Sequence, residues 1–139
     1  MRTFVPVSSI MTKNIIALTK SDDLERAEKL FNLHKIKHIP VVYEESIIGI
    51  LSFTDLMRIS QAEESIDENG SVDSVVYNNF TIEQVMVKDV VTVTSDTSIK
   101  EVTKILSNRE FHALPVVDNG DLVGIVTTTD LLKYYYKQL

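Results

Sequence analysis

The stretch "GIVTTTDLLK" (residues 124–133) joins a glycine, two apolar residues, a run of hydroxyls and an aspartate. A second stretch, "GILSFTDLMR" (residues 49–58), has almost the same order of residue types 75 positions earlier. In an isolated copy, a hydroxyl followed three residues later by an aspartate is typical of a capped helix start. Two copies in a small protein raise the question of whether the pattern also binds something.

An internal repeat organises the chain. At an offset of 75 residues, residues 10–59 align with residues 85–134 without a gap, and twelve of the fifty positions are identical. The identical pairs include a methionine, a proline, a glycine and an aspartate: Met11/Met86, Pro40/Pro115, Gly49/Gly124 and Asp55/Asp130. Self-similarity of this extent indicates two copies of one structural unit.

Each copy begins with a run of β-branched residues and an amphipathic segment. The runs "NIIALT" (residues 14–19) and "DVVTVT" (residues 89–94) predict short strands. Asp22 and Ser98, each with a glutamate three residues on, are helix-start signals. Apolar residues then recur at helical spacing, which predicts a helix with one buried face.

A hairpin and a second helix complete each copy. "HIPVVY" (residues 38–43) and "ALPVVD" (residues 113–118) read as strands whose proline lies where a missing N–H costs least. A turn leads from each into the glycine-containing strands "IIGIL" and "LVGIV", which predicts a hairpin. Helices are then expected from Thr54 and Thr129 onward, so that the unit is β-α-β-β-α.

A short lead-in precedes each copy: "PVSSIM" (residues 6–11) and "TIEQVM" (residues 81–86). Both lead-ins predict short helices, and the second carries a capping box formed by Thr81 and Gln84. Residues 4–7 are predicted to add an extra strand.

Size and composition favour one structural domain. With 139 residues, 44% of them hydrophobic, the chain can bury a core, but one copy of roughly 60 residues is marginal alone. We therefore predict an α/β (α+β) fold in which the two copies pack around a pseudo-two-fold axis. The division along the chain is residues 1–62 for the first repeat with its lead-in, 63–79 for an acidic linker and 80–139 for the second repeat.

Charge and residue usage exclude several classes of function. Of the 20 acidic residues, five lie between Ser60 and Phe80, where neither Lys nor Arg occurs, so the rest of the chain is nearly neutral. A neutral body disfavours nucleic-acid binding, yet it leaves room for one small anionic ligand. The absence of a long apolar run or a signal-peptide pattern predicts a cytoplasmic protein that has no membrane partner.

Metal and catalytic sites are not expected. The chain has no cysteine. His34 and His38 have a metal-ligand spacing for one helix, but Pro40 and the strand pattern place them on different elements, so no metal site is predicted. No P-loop, zincin or nucleophile-elbow motif occurs, so we predict no enzyme activity and no catalytic cofactor. The run "YYYK" (residues 134–137) is expected to extend the last helix and pack against a partner.

The twin stretches have the chemistry of a nucleotide site. A helix start offers N–H donors to phosphate, and the glycine lets another group approach the backbone closely. An aspartate there repels phosphate but is a good acceptor for the two hydroxyls of a ribose. Phosphate would face the Ser and Thr hydroxyls, with Arg58 or Lys133 as the positive partner.

The repeat resembles a tandem pair of cystathionine-β-synthase (CBS) domains, the arrangement called a Bateman module. The resemblance is carried by "IMTKNIIALTKSDDLERA" and "IKHIPVVYEESIIGILSFTDLM" in the first copy, and by "VMVKDVVTVTSDTSIKEV" and "FHALPVVDNGDLVGIVTTTDLL" in the second. It covers residues 7–136, with every feature in family order.

The resemblance implies two composite clefts between the repeats for adenosine-containing ligands such as AMP, ADP or ATP, as in the gamma subunit of AMP-activated protein kinase. Asp130 and Asp55 would take ribose hydroxyls, and backbone groups near Lys37 or His112 would read the adenine edge. The first cleft would be lined by Asn14, Ile16, Ile36, Lys37, His38, Pro40, Thr127, Thr129 and Asp130. The second would be lined by Asp89, Val91, Phe111, His112, Ala113, Pro115, Ser52, Thr54 and Asp55.

The two clefts are not expected to be equal. Asn14 in the first corresponds to Asp89 in the second, and a carboxylate near phosphate is unfavourable where an amide can donate to it. The cleft with Asn14 and Asp130 is therefore predicted to bind more tightly.

The function that these residues favour is a non-enzymatic sensor that binds an adenosyl ligand. The resemblance also implies a homodimer, whose faces would use the helices after each "TD". Candidate contacts are Leu56, Met57, Ile59, Leu131, Leu132 and Tyr135. Two alternatives stay open: a ligand-free dimeric scaffold, and a regulatory subunit of an unidentified enzyme.

Overall fold

The structure is a computed structural model that describes residues 4–62 and 79–139. Residues 63–78 of the predicted acidic linker lie outside the described residues. The predicted mixture of helices and strands is confirmed. In chain order the elements are a 3-10 helix at Val7–Ser9, α1 at Leu24–His34, β1 at His38–Tyr43, β2 at Ser46–Ser52, α2 at Phe53–Ala62, α3 at Ile82–Val85, α4 at Ile99–Ser107, β3 at Ala113–Asp118, β4 at Asp121–Thr127 and α5 at Thr128–Gln138.

The chain forms two compact units that each contain the lead-in of the other copy. The Asp55 unit is Ile16–Asp89, and the Asp130 unit combines Met1–Ile15 with Val90–Leu139. The short helix of each lead-in forms as predicted. The division of the sequence into repeats at 62 and 80 stays a prediction about the chain, and the compact units cut it at different places.

Each unit has its own apolar core, to which the exchanged lead-in contributes. Ile82 and Met86 are buried with residues of α1, β1, β2 and α2 in the Asp55 unit. Val7 is buried with residues of α4, β3, β4 and α5 in the Asp130 unit. Because a copy of this size is marginal alone, the lead-in supplies apolar burial that its host copy lacks.

A hairpin with both edges paired lies at the centre of the Asp55 unit. β1 and β2 are antiparallel, with a register shift between Val41 and Val42. On the outer edge of β1, the Leu18 N–H donates to the Pro40 carbonyl at 2.9 Å and the Val42 N–H to the Leu18 carbonyl at 2.8 Å. On the outer edge of β2, Val87 and Ile50 exchange two hydrogen bonds of 2.9 and 3.0 Å.

The Asp130 unit repeats this arrangement with its own residues. β3 and β4 pair with the same kind of register shift, here between Val116 and Val117. Val93 forms the parallel bridge on the β3 edge, and Thr12 and Ile125 exchange bonds of 2.8 and 3.0 Å on the β4 edge. Neither hairpin therefore presents a bare edge at these positions, and a bare edge would be open to pairing with another chain.

The predicted first strand of each copy was wrong. In residues 14–19 and 89–94 only Leu18 and Val93 form a bridge, and each pairs with a single residue. The next parallel bond toward the N-terminus would need a backbone N–H from Pro40 or Pro115, and proline has none. Pro40 and Pro115 thus limit the parallel pairing of β1 and β3 with the predicted first strands to a single bridge in each copy.

Two further sequence expectations needed correction. The N-cap of α1 is Asp23, whose Oδ1 accepts from the Arg26 N–H at 2.8 Å, whereas Asp22 accepts from the Thr19 N–H at 2.8 Å. Asp23 is also the residue that the repeat aligns with Ser98, the N-cap of α4. Residues 4–7 form no strand, because only Pro6 bridges to Ser98 there.

The glycines of the twin stretches are explained by the lead-in methionines. A Cβ at Gly49 would lie 2.4 Å from Met86 Sδ and 2.9 Å from the Val87 carbonyl oxygen. At Gly124 the corresponding distances to Met11 Sδ and the Thr12 oxygen are 2.6 and 3.1 Å. The group that approaches the backbone closely is therefore the lead-in, and the glycine alone gives no support for a ligand.

We expect Gly124→Ala to lower the free energy of unfolding by about 2 kcal/mol, because the new methyl group overpacks against Met11. Urea denaturation measures the loss. The double variant with Met11→Ala should recover part of it, since the flexible thioether is the nearest obstacle. Gly120→Ala is the control for backbone strain alone, because Gly120 has a φ of +87° and open space around it. A strictly additive double-mutant cycle would contradict this account.

Asp118, at the end of β3, is held by Ser95. Hydrogen bonds from the Ser95 side chain and from its N–H, the latter 3.0 Å from Oδ1, lower the pKa of the Asp118 carboxyl. The first copy has Tyr43 and Lys20 at these positions, so the interaction belongs to the Asp130 unit alone.

Because the pKa of Asp118 is lowered by folding, its stabilising effect is present above the unfolded pKa of about 4 and is lost as pH falls through the folded value. We expect Ser95→Ala to raise the pKa of Asp118, as followed by NMR of the carboxyl carbon. Asp118→Asn should lower stability at pH 7 and have little effect near pH 2. Equal effects at both pH values would show that the charge is irrelevant.

Candidate functional site

The start of α5 is closed by a reciprocal capping box. The Asp130 N–H donates to Thr127 Oγ1 at 3.1 Å, and the Thr127 N–H donates to Asp130 Oδ2 at 3.0 Å. This confirms the capping function expected from the sequence. Asp130 Oδ1 accepts no hydrogen bond from the described residues, so the carboxylate is fixed in place with one oxygen available.

The start of α2 is also capped by a side-chain hydroxyl, but its aspartate carboxylate has a different partner. The Asp55 N–H donates to Ser52 Oγ at 3.0 Å, as at the other helix. Asp55 Oδ1, however, accepts from Arg58 Nη1 at 2.7 Å. The side chain of Asp55 is 19% exposed and that of Arg58 is 70% exposed. The carboxylate partner of this ion pair is therefore mostly buried, and the guanidinium partner is mostly exposed.

Backbone bonds tie each helix start to the residue before the hairpin. The Phe53 N–H donates to the Lys37 carbonyl at 2.9 Å, and the Thr128 N–H donates to the His112 carbonyl at 2.9 Å. Adenine recognition was expected at both carbonyls. The Lys37 carbonyl accepts this one bond, and its second lone pair allows another. The His112 carbonyl also accepts from Thr128 Oγ1, so both of its lone pairs are already used.

Phe53 and Lys37 form a contact that the sequence reading did not anticipate. The Lys37 ammonium lies 4.5 Å from the centroid of the Phe53 ring, and Phe53 packs edge-on against Phe31 at 5.6 Å. Thr128 occupies the equivalent position in the other copy, where its hydroxyl bonds the His112 carbonyl at 3.3 Å. The sequence signal for this contact is Phe53 itself, an aromatic residue between the hydroxyl residues Ser52 and Thr54. A cation close to such a ring gains a cation–π contact.

The CBS domain family matches two stretches of the chain, residues 7–62 and 82–137. The chain belongs to the CBS domain family.

Comparisons with solved structures and curated proteins agree with this. The CBS domain pair of protein MJ0100, solved with 5′-methylthioadenosine and S-adenosyl-L-methionine, is similar over 99% of this chain and 100% of that one, with a TM-score of 0.81 and 25% identity. Among curated relatives, uncharacterized protein MJ1225 of Methanocaldococcus jannaschii is 27% identical over 93% of this chain. An inosine-5′-monophosphate dehydrogenase of Korarchaeum cryptofilum is 28% identical over 88% of it.

The chain spans only part of these curated relatives. It covers 46% of the length of MJ1225 and 23% of the dehydrogenase. The similarity to the dehydrogenase is therefore confined to a minor part of that enzyme.

The predicted cleft residues of this CBS pair fall in both compact units. The Asp130 unit contains Asn14, Val91, Phe111, His112, Ala113, Pro115, Thr127, Thr129 and Asp130. The Asp55 unit contains Ile16, Ile36, Lys37, His38, Pro40, Ser52, Thr54, Asp55 and Asp89. Asn14, which follows the first lead-in, thus joins the unit of Asp130, and Asp89 joins that of Asp55. Each cleft as a whole stays a prediction.

The helices after each motif divide the predicted dimer contacts into buried and exposed residues. Leu56 and Leu131 lie in the cores, 0% and 5% exposed, so they are not available to a partner. Met57 and Ile59 pack partly against the same core as Leu56. Leu132 and Tyr135 are exposed on α5, and Tyr135 also bonds Thr103 through its hydroxyl. The dimer itself stays a prediction.

The described residues contain neither a membrane-spanning helix nor a cluster of metal ligands. Within residues 4–62 and 79–139, no helix is long and apolar enough to cross a membrane. Across the same residues, His, Asp and Glu form no group that could hold a metal ion. His34 ends α1 and His38 begins β1, on the separate elements that the sequence indicated.

We expect Thr127→Ala to lower the free energy of unfolding by about 1 kcal/mol, because the Asp130 N–H loses its acceptor. Thr127→Ser keeps the hydroxyl and is the matched control, which should stay close to the parent chain. Urea denaturation of the three chains makes the comparison. Equal losses in both variants would indicate that packing of the methyl group, and not the hydrogen bond, stabilises the helix start.

Proposed function

We propose that this chain is a regulatory module that binds an adenosine-containing ligand and carries out no chemistry of its own. The observation that carries the proposal is the fixed carboxylate of Asp130. Its Oδ2 is held by the Thr127 N–H, which leaves Oδ1 as an acceptor beside a helix start. A ribose offers two adjacent hydroxyl donors, which suit such an acceptor.

The surrounding groups suit the rest of a nucleotide. Thr127 and Thr129 supply hydroxyls at the N-terminal turn of α5, where the helix dipole favours negative charge. Lys133 lies one turn further on and forms no ion pair within the described part of the chain. We propose that these groups bind phosphate when the ligand has one, which makes AMP, ADP and ATP candidates beside neutral adenosyl compounds.

Similarity supports the same class of ligand. The MJ0100 pair, which this chain matches over its full length, was solved with two adenosyl compounds, 5′-methylthioadenosine and S-adenosyl-L-methionine. We propose that the ligand binds one conformation of the protein more tightly than another and so shifts the equilibrium between them. The free energy of this shift cannot exceed the difference in binding free energy between the two conformations.

A second candidate is regulation of an enzyme. Part of an inosine-5′-monophosphate dehydrogenase is 28% identical to this chain, and that part is under a quarter of the enzyme. We propose on this ground that the chain could act on a separate catalytic protein in the cytoplasm. Affinity purification with and without the bound nucleotide tests for such a target, and the absence of any stoichiometric partner would count against it.

We expect a panel of AMP, ADP, ATP, S-adenosylmethionine and 5′-methylthioadenosine to contain at least one ligand that raises the melting temperature. At 100 times its dissociation constant a ligand adds about 2.7 kcal/mol, or a shift on the order of 10 °C. Asp130→Ala should reduce the shift strongly because it removes the ribose acceptor. Asp121→Ala, an exposed aspartate of the same unit, is the control that should keep it.

An unchanged melting temperature across the whole panel would contradict the proposed function. If the Asp130→Ala chain kept the full shift in melting temperature, the protein would still bind the ligand, but at a site that does not depend on Asp130.

A further inference from the structure

We propose that Arg58 is a specificity residue, which makes ribose binding by Asp55 depend on a phosphate elsewhere on the ligand, whereas ribose binding by Asp130 has no such dependence. The inference rests on the proposed function. It concerns how the two pseudo-equivalent carboxylates differ.

The two carboxylates are occupied by different donors. Asp130 accepts from a neutral backbone N–H of its own helix start, at 3.0 Å. Asp55 accepts instead from the guanidinium of Arg58, at 2.7 Å. A charge-assisted bond of this kind is shorter and stronger than a bond to a neutral amide, so the Asp55 carboxylate is the more strongly occupied of the two.

The difference follows from one pair of residues. Arg58 and Lys133 stand at equivalent positions, three residues after the aspartate of each copy. The planar guanidinium reaches back to the carboxylate, whereas Lys133 makes no ion pair with any described residue. Lysine is a strongly hydrated point charge on a flexible stem, so it gains less from holding this geometry.

Arg58 holds Oδ1 of Asp55, and Oδ2 accepts no bond from the described residues, so a single ribose hydroxyl can bind Oδ2 beside the ion pair. A neutral ribose that binds through both adjacent hydroxyls also needs Oδ1 and then competes with Arg58. In that case Arg58 loses its negative partner and the charge of Asp55 loses its counter-ion. A ligand phosphate supplies a new anion for the guanidinium, which binds phosphate through two parallel N–H bonds. Phosphate and ribose are thus coupled at Asp55 through one side chain.

At Asp130 the same ribose meets no competing cation. The backbone N–H of Thr127 keeps its bond to Oδ2 while Oδ1 accepts from the ligand. Lys133 can add affinity for a phosphate, but ribose binding to Asp130 does not displace it from any ion pair with the described residues. The Asp130 site therefore accepts adenosyl ligands with or without phosphate.

The test isolates each site and exchanges the two cations. The Asp130→Ala chain reports the Asp55 site, and the Asp55→Ala chain reports the Asp130 site. Titration calorimetry with adenosine and AMP gives, for each chain, the ratio of the adenosine Kd to the AMP Kd. We expect Arg58→Lys in the Asp130→Ala chain to lower this ratio about fivefold, mainly by tighter adenosine binding, because an ion pair of this exposure is worth up to about 1 kcal/mol.

The reciprocal exchange is the matched control. Lys133→Arg in the Asp55→Ala chain should raise the ratio by a similar factor, because it gives Asp130 the competing guanidinium. Asp89 is unchanged in each comparison, so its negative charge cancels from the effect of the exchange. Ratios that do not move in either exchange would overturn the inference while leaving adenosyl binding established. Failure of the parent chain to bind either probe would overturn the proposed function itself, and this inference with it.

Discussion

The structure depends on the pairing of each hairpin with a lead-in from the other copy. A two-stranded hairpin is at best marginally stable in water, and each copy has only one. The residue directly after each lead-in, Thr12 or Val87, pairs with the outer edge of the hairpin through two backbone hydrogen bonds. The methionine of the lead-in packs against a glycine of the same edge strand. Neither copy contains all of its own unit, so the chain crosses between units near residues 15 and 89.

This pairing also decides what the twin stretches mean. Their glycines serve the contact with Met11 and Met86, and their hydroxyls cap α2 and α5. Both features have complete structural explanations without a ligand. The aspartates are therefore the residues that favour ligand binding, because a capped helix start needs no further carboxylate oxygen and Asp130 has one that accepts no bond from the described residues.

The two copies share a backbone plan and differ in side chains that carry charge. Arg58 forms an ion pair with Asp55, whereas Lys133 forms no ion pair with Asp130. Phe53 receives the Lys37 ammonium where Thr128 binds a carbonyl. The two copies keep the same hydrogen-bonded frame because its bonds join backbone groups, which do not depend on most side chains. Single differences at the helix starts are enough to separate the chemistry of the two aspartates.

Much of the fold could be predicted from the sequence by itself, because the deciding signals are local. Helical spacing, prolines, turn residues and the caps at Thr81, Ser98 and Thr127 depend only on near neighbours in the chain. The repeat with its alignment at 75 residues also identified the family. The same alignment pairs Asp23, the observed N-cap of α1, with Ser98, the N-cap of α4.

Only the tertiary structure decided the features that depend on distant partners. Which hairpin each lead-in covers, and why Gly49 and Gly124 are glycines, follow from contacts between segments far apart in sequence. The loss of the predicted first strands follows from a missing N–H on Pro40 and Pro115, visible only once the parallel partner is known. The state of each aspartate is likewise a matter of geometry, because Arg58 and Lys133 both carry a positive charge and only one of them reaches the carboxylate.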